Sequence, residues 1–430
     1  MSRVASWGHF PEPHPASYVT LKNDTEACEQ LEQATAPVMI RGLGRSYGDV
    51  CLNSGGTVAW NRQLNVIEHF DADRGVVTVQ AGVSLDEILT RVLPHGWCVP
   101  VLPGTRHVTV GGAIANDVHG KNHWHRGSFC CFVDEIIIIH NGRVQTCSRS
   151  ENPGLFYATI GGIGLTGCIL RATLRLLRVG SAYLNTRTVP CRSTADAVDM
   201  LAEADAIHEY SVAWIDSFSG RGLCSVGDHC ADGEYERRRQ RTLTMPRIAR
   251  IGNSPLNVRL FNRAYYAMMA APKQHRLAMN SFFFPLDVVR KWYRFYGKQG
   301  LIQYQFVVPH NAGVAITTQV SELLGRAGHT SYLTVLKRFG SVASGGLLSF
   351  PMGGLTVAMD LPVRSASLFE VLDLCDTIVA DAGGRVYIAK DARMSSSAFY
   401  RMYGSKLHEL LTYRDKRYSN SFWRRVWREA

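Results

Sequence analysis

The chain of 430 residues has no long apolar run, its longest purely aliphatic stretch being the four isoleucines at 136–139. A membrane-spanning helix needs roughly 18 or more apolar residues, so none is expected. The N-terminal MSRVASWGHF also lacks the hydrophobic stretch of a secretory signal. Charged residues are only 19% against 46% hydrophobic, which excludes global disorder, because enough apolar surface can be buried to offset chain entropy. The eleven cysteines include no C-x-x-C pair and are odd in number, so neither a zinc ribbon nor a disulfide framework is expected. His229, between Cys224 and Cys230, has no second ligand pair at metal spacing, so no metal is expected there. Free thiols in a reducing cytoplasmic compartment fit best.

What is present is positive charge. Lys and Arg number 47 against 36 Asp and Glu, a net +11, which points to an anionic partner: nucleic acid, an anionic membrane or a phosphorylated small molecule. No helix-turn-helix, zinc-finger or aromatic RNP signature occurs, so nucleic acid is not expected. Basic residues concentrate at 236–250 (ERRRQRTLTMPRIAR) and 414–428 (RDKRYSNSFWRRVWR). In the first, Arg237, Arg238, Arg239 and Arg241 lie beside Leu243, Ile248 and Ile251, and either form a solvated loop or rest on an anionic bilayer. In the second, Phe422, Trp423, Val426 and Trp427 accompany Arg424, Arg425 and Arg428, either as an interfacial patch or packed on the N-terminal domain.

The pattern is α+β, and the length predicts two or three domains. Residues 76–83 (VVTVQAGV) and 134–140 (DEIIIIH) read as strands, the latter ending in Asn141-Gly142 turn chemistry, and 84–92 (SLDEILTRV) reads as a helix capped by Ser84. From about Val179 the texture changes. A helix at 193–208 alternates with strands at 212–217, 301–309 and 355–361. Domains are expected at 1–180 and 181–382, with 383–430 returning to the first.

Glycine concentrates at 41–49 (RGLGRSYGD), 103–122 (PGTRHVTVGGAIANDVHGKN) and 161–167 (GGIGLTG). Such density lets backbone N–H groups approach a phosphate, so a nucleotide cofactor is the economical explanation. Two familiar motifs fail. Gly162, Gly164 and Gly167 fit G-x-G-x-x-G, but 168–177 (CILRATLRLL) continues as a strand rather than a helix. The run ending at Gly120-Lys121 has Ala115 and Asn122 where a P-loop needs Gly and Ser/Thr.

These segments, with the P-G-T-x-x-x-T-V-G-G run and H-G-K-N at 119–122, resemble the FAD-binding domain of the vanillyl-alcohol-oxidase-type (PCMH-type) flavoproteins. Further along, QYQF at 303–306, KRFG at 337–340, MDLP at 359–362 and GRVYIAKD at 384–391 resemble the branch that oxidises decaprenylphosphoryl-β-D-ribose, the flavoprotein half of a 2-epimerase. The resemblance implies a two-domain PCMH-type FAD fold with a sheet-and-helix substrate domain. It implies oxidation of the ribose C2 hydroxyl of a lipid-linked sugar phosphate and a separate NADH-dependent short-chain reductase, while the two basic patches and the net +11 point to peripheral contact with an anionic membrane. The rival of the same class is a sugar or aldonolactone oxidase; that of another class is a basic nucleic-acid or membrane-binding protein with a vestigial flavin fold.

Residue by residue, the resemblance puts Arg41, Gly42, Leu43, Gly44, Arg45, Ser46, Tyr47 and Gly48, with Gly104, Thr109, Val110, Gly111 and Gly112, around the FAD pyrophosphate and ribityl chain. It puts His119, Gly120, Lys121, Asn122 and Tyr387 against the isoalloxazine, and Gln303, Gln305, Lys337, Lys390 and Trp214 on the substrate side. Tyr47 stands where covalent members have the attachment histidine, so FAD is expected to be non-covalent. Ala358 and Thr356 replace a cysteine and an asparagine of the family pattern. Alcohol oxidation needs a base for the hydroxyl proton. Lys390, whose pKa of about 10.4 burial can depress, and His119 are the two candidates, with Gln305 as a neutral orienting group. His123 and His125 are read as pocket rim or exposed.

Overall fold

The computed structural model describes residues 4–34, 37–237, 240–245, 254–271 and 273–427. Arg238, Arg239, Ile248, Ile251 and Arg428 of the two basic clusters lie outside the described residues.

Local chemistry sets the elements of the first half. Ser84 accepts from the Glu87 amide while Glu87 reaches back to the Ser84 amide, a capping box that starts the helix Leu85–Val92. That helix buries Leu85, Ile88, Leu89 and Val92. Each such side chain contributes roughly 1.5–3 kcal/mol by leaving water. Asn141 and Gly142 both take positive φ, 50° and 75°, and close the hairpin between Val133–His140 and Arg143–Ser148.

Two sheets result. Ser17–Thr20, Thr57–Trp60 and Val38–Arg41 form a parallel three-stranded sheet in that order. Ile67–Asp71, Val76–Gln80, Cys168–Arg175, Val133–His140 and Arg143–Ser148 form an antiparallel five-stranded one.

Between Tyr183 and Val386 the chain builds an eight-stranded antiparallel sheet. Its spatial order is Lys273–Ala278, Tyr183–Cys191, Gly222–His229, Tyr210–Ile215, Thr334–Phe339, Gly354–Pro362, Leu301–Val308 and Arg385–Val386. The two-residue side-chain period of a strand divides its faces. Ile302, Tyr304, Phe306 and Val308 pack with Val320, Leu324, Leu368 and Leu372 of the helices Gly313–Arg326 and Ser367–Asp381. Gln303 and Gln305 must therefore project from the opposite face. That face is the floor of the site.

After the edge strand Arg385–Val386 the chain returns to the N-terminal sheets. The Val38 amide donates to the Arg417 carbonyl, and the Ser419 amide donates to Val38. Phe422, Trp423 and Val426 are fully buried. Of the two readings of 414–428, packing on the N-terminal half is therefore correct and the interfacial patch is not, because its aromatic rings are already covered. No helix among the described residues is long and apolar enough to cross a membrane.

Candidate active site

Two glycine-rich loops meet to form a cradle. A Cβ at Gly42 would stand 2.2 Å from Thr109 Oγ1, so only glycine lets the loops approach this closely. Arg45 Nε donates to the His107 carbonyl across the same junction at 3.1 Å. Gly44 takes φ +61°, which turns the loop. The amides of Leu43, Gly44, Arg45 and Ser46 donate to no protein acceptor among the described residues, and a Cβ on Gly104 would face open space. Thr109 caps the short helix Val110–Ala115 by accepting from the Gly112 amide. Arg41, by contrast, is a structural member of the motif. Its guanidinium donates to the Cys51 and Ala5 carbonyls and lies 5.2 Å from the Trp60 ring.

The sheet floor brings together residues far apart in sequence. Register places Gln305 opposite Ala358, Ala358 opposite Val335, and Val335 opposite Trp214. The next row is Val307, Thr356 and Lys337. His119, from the loop above, joins the floor. Its Nε2 lies 2.9 Å from Gln305 Nε2, and its Nδ1 lies 3.1 Å from Lys337 Nζ. Gln305 also donates to Thr356 Oγ1 at 3.2 Å, and Thr356 donates to the Phe306 carbonyl at 2.9 Å.

Both imidazole nitrogens thus face nitrogen partners that carry hydrogens. A doubly protonated ring would set N–H against N–H, so the ring is held neutral. Burial, followed by Lys337, His123 and Lys390, pushes its pKa well below the usual value. His119 is enclosed by Phe339, Phe350 and Tyr387, with ring centroids 4.9, 5.9 and 5.6 Å away.

Tyr387 stacks on Phe350 at 4.4 Å and donates its hydroxyl to the Asn116 carbonyl at 2.9 Å. Lys390 lies three residues on, its ammonium 4.1 Å from the centre of the Tyr47 ring. Burial lowers its pKa to about 8, with Asp360 opposing. Lys337 is lowered to about 7 by burial and then by Lys121 and Lys390, and Lys121 to about 7 by burial. Lys121 is tied back to the Phe282 carbonyl, with its ammonium 4.1 Å from the centre of the Phe282 ring. Three lysines near neutrality in one cluster, with Lys121 and Lys390 both acting on Lys337, form a site poised for anions and for proton transfer.

Some of the expected residues are engaged elsewhere. Asn122 donates to Pro100 and Glu209 rather than toward His119. Trp214 shares the floor but sits three strand spacings from Gln305, on the order of 14 Å. Its indole donates to the Tyr332 carbonyl. His123 is buried against Phe339 at 4.2 Å, which corrects its reading as rim or exposed, whereas His125 is exposed.

The site also contains a residue that sequence reasoning missed. Asp360, fully buried, accepts from Gln303 at 2.6 Å and from Trp292 and Tyr296 at 3.3 Å each. The available signal was a carboxylate on the same alternate face as Thr356 and Ala358, in an otherwise apolar strand.

Over residues 15–148 the chain matches the FAD binding domain family. It is 37% identical over 425 residues to decaprenylphosphoryl-beta-D-ribose oxidase of Mycolicibacterium smegmatis (strain ATCC 700084 / mc(2)155), covering 93% of this chain and 91% of that protein. The chain belongs to the decaprenylphosphoryl-β-D-ribose oxidase family. As a family member it is an FAD-dependent oxidoreductase of two-domain α+β PCMH-type fold. More distant relatives match little more than a third of the chain. Cytokinin dehydrogenase 2 of Arabidopsis thaliana is 31% identical over 145 residues, 34% of this chain and 29% of that one. L-gulonolactone oxidase of Bos taurus is 28% identical over 165 residues, 38% and 37%.

The residues of this family member fit FAD. Unpaired amides at Leu43 to Ser46 can receive a pyrophosphate. The buried Oδ1 atoms of Asn116 and Asn122 have no partner among the described residues and suit the N–H and hydroxyl donors of a flavin.

Proposed function

We propose that the protein oxidises the C2 hydroxyl of a polyprenylphosphoryl-β-D-ribose to the 2-keto sugar, the first half of an epimerisation to an arabinose donor for cell-wall synthesis. The observation that carries this reading is the group of three lysines with lowered pKa around His119, on a polar sheet floor beside a phosphate cradle. The name of the Mycolicibacterium relative supports the same substrate.

Bound FAD supplies the hydride acceptor. Leu43, Gly44, Arg45 and Ser46, with Gly104 and Thr109 to Gly112, hold its pyrophosphate end, and His119, Lys121 and Tyr387 hold its ring end. Lys390, with a pKa of about 8, takes the C2 hydroxyl proton on its neutral amine. Gln305, held by Thr356 and His119, and Gln303, held by Asp360, orient the sugar hydroxyls. Lys337 and Lys121, with pKa values of about 7 in the free protein, are raised and kept protonated by the phosphodiester anion when it binds, and so offset its charge, which matters most where water is excluded. Trp214 walls the far end of the floor. A separate NADH-dependent short-chain reductase returns the ketone to the epimeric alcohol. The protein works on the cytoplasmic side, in peripheral contact with the anionic membrane that carries its substrate.

Anaerobic mixing tests the reading. Polyprenylphosphoryl-β-D-ribose should bleach the flavin band, whereas free ribose and L-gulono-1,4-lactone should leave it unchanged over the same time. Bleaching by the lactone alone would assign the protein to the aldonolactone oxidases.

FAD attachment gives a second expected result. The Tyr47 phenol is buried and its pKa is raised well above normal, first by burial and then by Asp360, so it stays protonated and unreactive. Acid precipitation should therefore release all the flavin to the supernatant; yellow colour in the washed pellet would show a covalent link.

A further inference from the structure

The fifty residues 237–286 contain no Asp or Glu and ten Lys or Arg. Within this acid-free stretch lies the helix Pro255–Met269, which buries only Val258 and Asn262. Asn262 anchors it by donating to Asp216 and to the Ser331 carbonyl. Its outer face carries Leu256, Leu260, Phe261 and Met268, between 51% and 67% exposed. These four and Leu243 are five of the twelve large hydrophobic residues that are exposed among the described residues. A row of apolar side chains at helical spacing facing outward is unusual for a surface helix and marks a contact surface.

This face does not end at the helix. Phe261 meets Tyr332 edge-on at 5.3 Å, Tyr332 meets Phe295 at 4.8 Å, and Phe295 stacks on Trp292 at 5.3 Å. Trp292 donates to Asp360, the carboxylate that holds Gln303 on the site floor. A continuous aromatic run thus leads from an exposed apolar helix to the sugar end of the site.

We infer that this run, opening on Leu256, Leu260 and Phe261, binds the isoprenoid chain of the lipid-linked substrate, an inference that rests on the function proposed above. The chemistry matches along its length. The phosphosugar meets the polar floor and the three lysines, and the chain leaves along rings toward the aliphatic face of a helix whose own stretch, 237–286, carries no carboxylate.

The test uses the FAD-loaded full chain and β-D-ribosyl phosphodiesters of one to four isoprene units, each kept monomeric below its micellar concentration without detergent. Flavin reduction is followed anaerobically. Burying even one additional isoprene unit is worth roughly a tenfold gain in affinity, so the second-order reduction constant should rise at least about tenfold from one unit to four. In the double variant Leu260→Ser/Phe261→Ser that gain should shrink to within about twofold, with the one-unit substrate still reduced at the wild-type rate, which also shows that the variant folds.

A wild-type constant independent of chain length would overturn the inference while leaving the proposed function intact, and so would a chain-length gain that survives in the double variant. A gain seen only with substrate embedded in phosphatidylglycerol vesicles would also overturn it and assign the helix to bilayer contact. Failure of every ribosyl lipid to bleach the flavin would overturn the proposed function and this inference with it.

Discussion

Lys390→Met should retain the FAD spectrum and reduce its flavin at least about 100-fold more slowly than wild type when mixed anaerobically with the ribosyl lipid. General-base assistance is typically worth about 10² to 10⁴-fold, and methionine keeps the side-chain volume without a proton acceptor. The close Gly42–Thr109 contact does not involve Lys390, and the backbone bond from the Tyr47 amide to the Ala389 carbonyl survives the substitution, so FAD should stay bound. The pH profile supplies the sign. Burial holds the Lys390 ammonium at about 8, and only the neutral amine accepts a proton, so the wild-type rate should climb as pH rises through about 8. The variant should lose that limb. His119→Ala is the control, because the His119 ring nitrogens are already occupied by Gln305 and Lys337. Near-wild-type reduction by Lys390→Met, together with a stalled His119→Ala that still holds FAD, would move the base to His119.

Arg425→Ala should lower folding stability by about 3–5 kcal/mol, the usual cost of leaving buried carboxylates without their cation. Arg425 makes two bonds of 2.9 Å to Asp49, one of 2.8 Å to Asp391 and one to the Met394 carbonyl. Both carboxylates are buried. Burial raises Asp49, and Arg425 only partly offsets it. At Asp391 burial also pushes upward, but Arg425 and Arg393 more than reverse it and leave its pKa lowered. In wild type, the Asp391 contribution is therefore present above the unfolded carboxylate value and lost as pH falls below it. Without Arg425 both folded pKa values rise, so the deficit should be largest near pH 7 and shrink toward pH 5, where the carboxyls take up protons. Urea unfolding at the two pH values reads this directly. Arg424→Ala, whose hydrogen-bond partners Asn53, Ser54 and Ser419 are uncharged and which acts on Asp49 only through space, should cost far less and show a weaker pH dependence. An equal loss in both variants, flat with pH, would mean that packing rather than charge explains the effect.

Asp391 adjoins Lys390, so this buried ion network also holds the loop that carries the proposed base. Nothing in the 414–428 segment read by itself announces that. A run of arginine and tryptophan has the same composition whether it lies on a membrane or closes a domain. Only the packing of Phe422 and Trp423 into the core decides which. His123 shows the same ambiguity: its neighbours in sequence place it on a polar loop, yet Phe339 from a strand more than two hundred residues away covers it.

The sequence by itself determined the features that depend on short-range hydrogen bonding and side-chain period. These are the Ser84 capping box, the Asn141-Gly142 hairpin, the glycine loops that exclude Rossmann and P-loop sites, and the alternation that separates Ile302 and Tyr304 from Gln303 and Gln305. The flavoprotein class came instead from the resemblance of whole motifs, such as 41–49, 119–122 and 384–391, to a known family. Tertiary structure alone decided which polar residues share the floor. Register between the strands Leu301–Val308, Gly354–Pro362 and Thr334–Phe339 puts Asp360 beside Gln303 and Lys337 beside Thr356, and the fold then lowers His119 onto them. The physical reason is range. Caps and turns are settled within four residues, whereas cross-strand register and the desolvation that brings Lys121, Lys337 and Lys390 near neutrality arise only when distant segments close over the same volume.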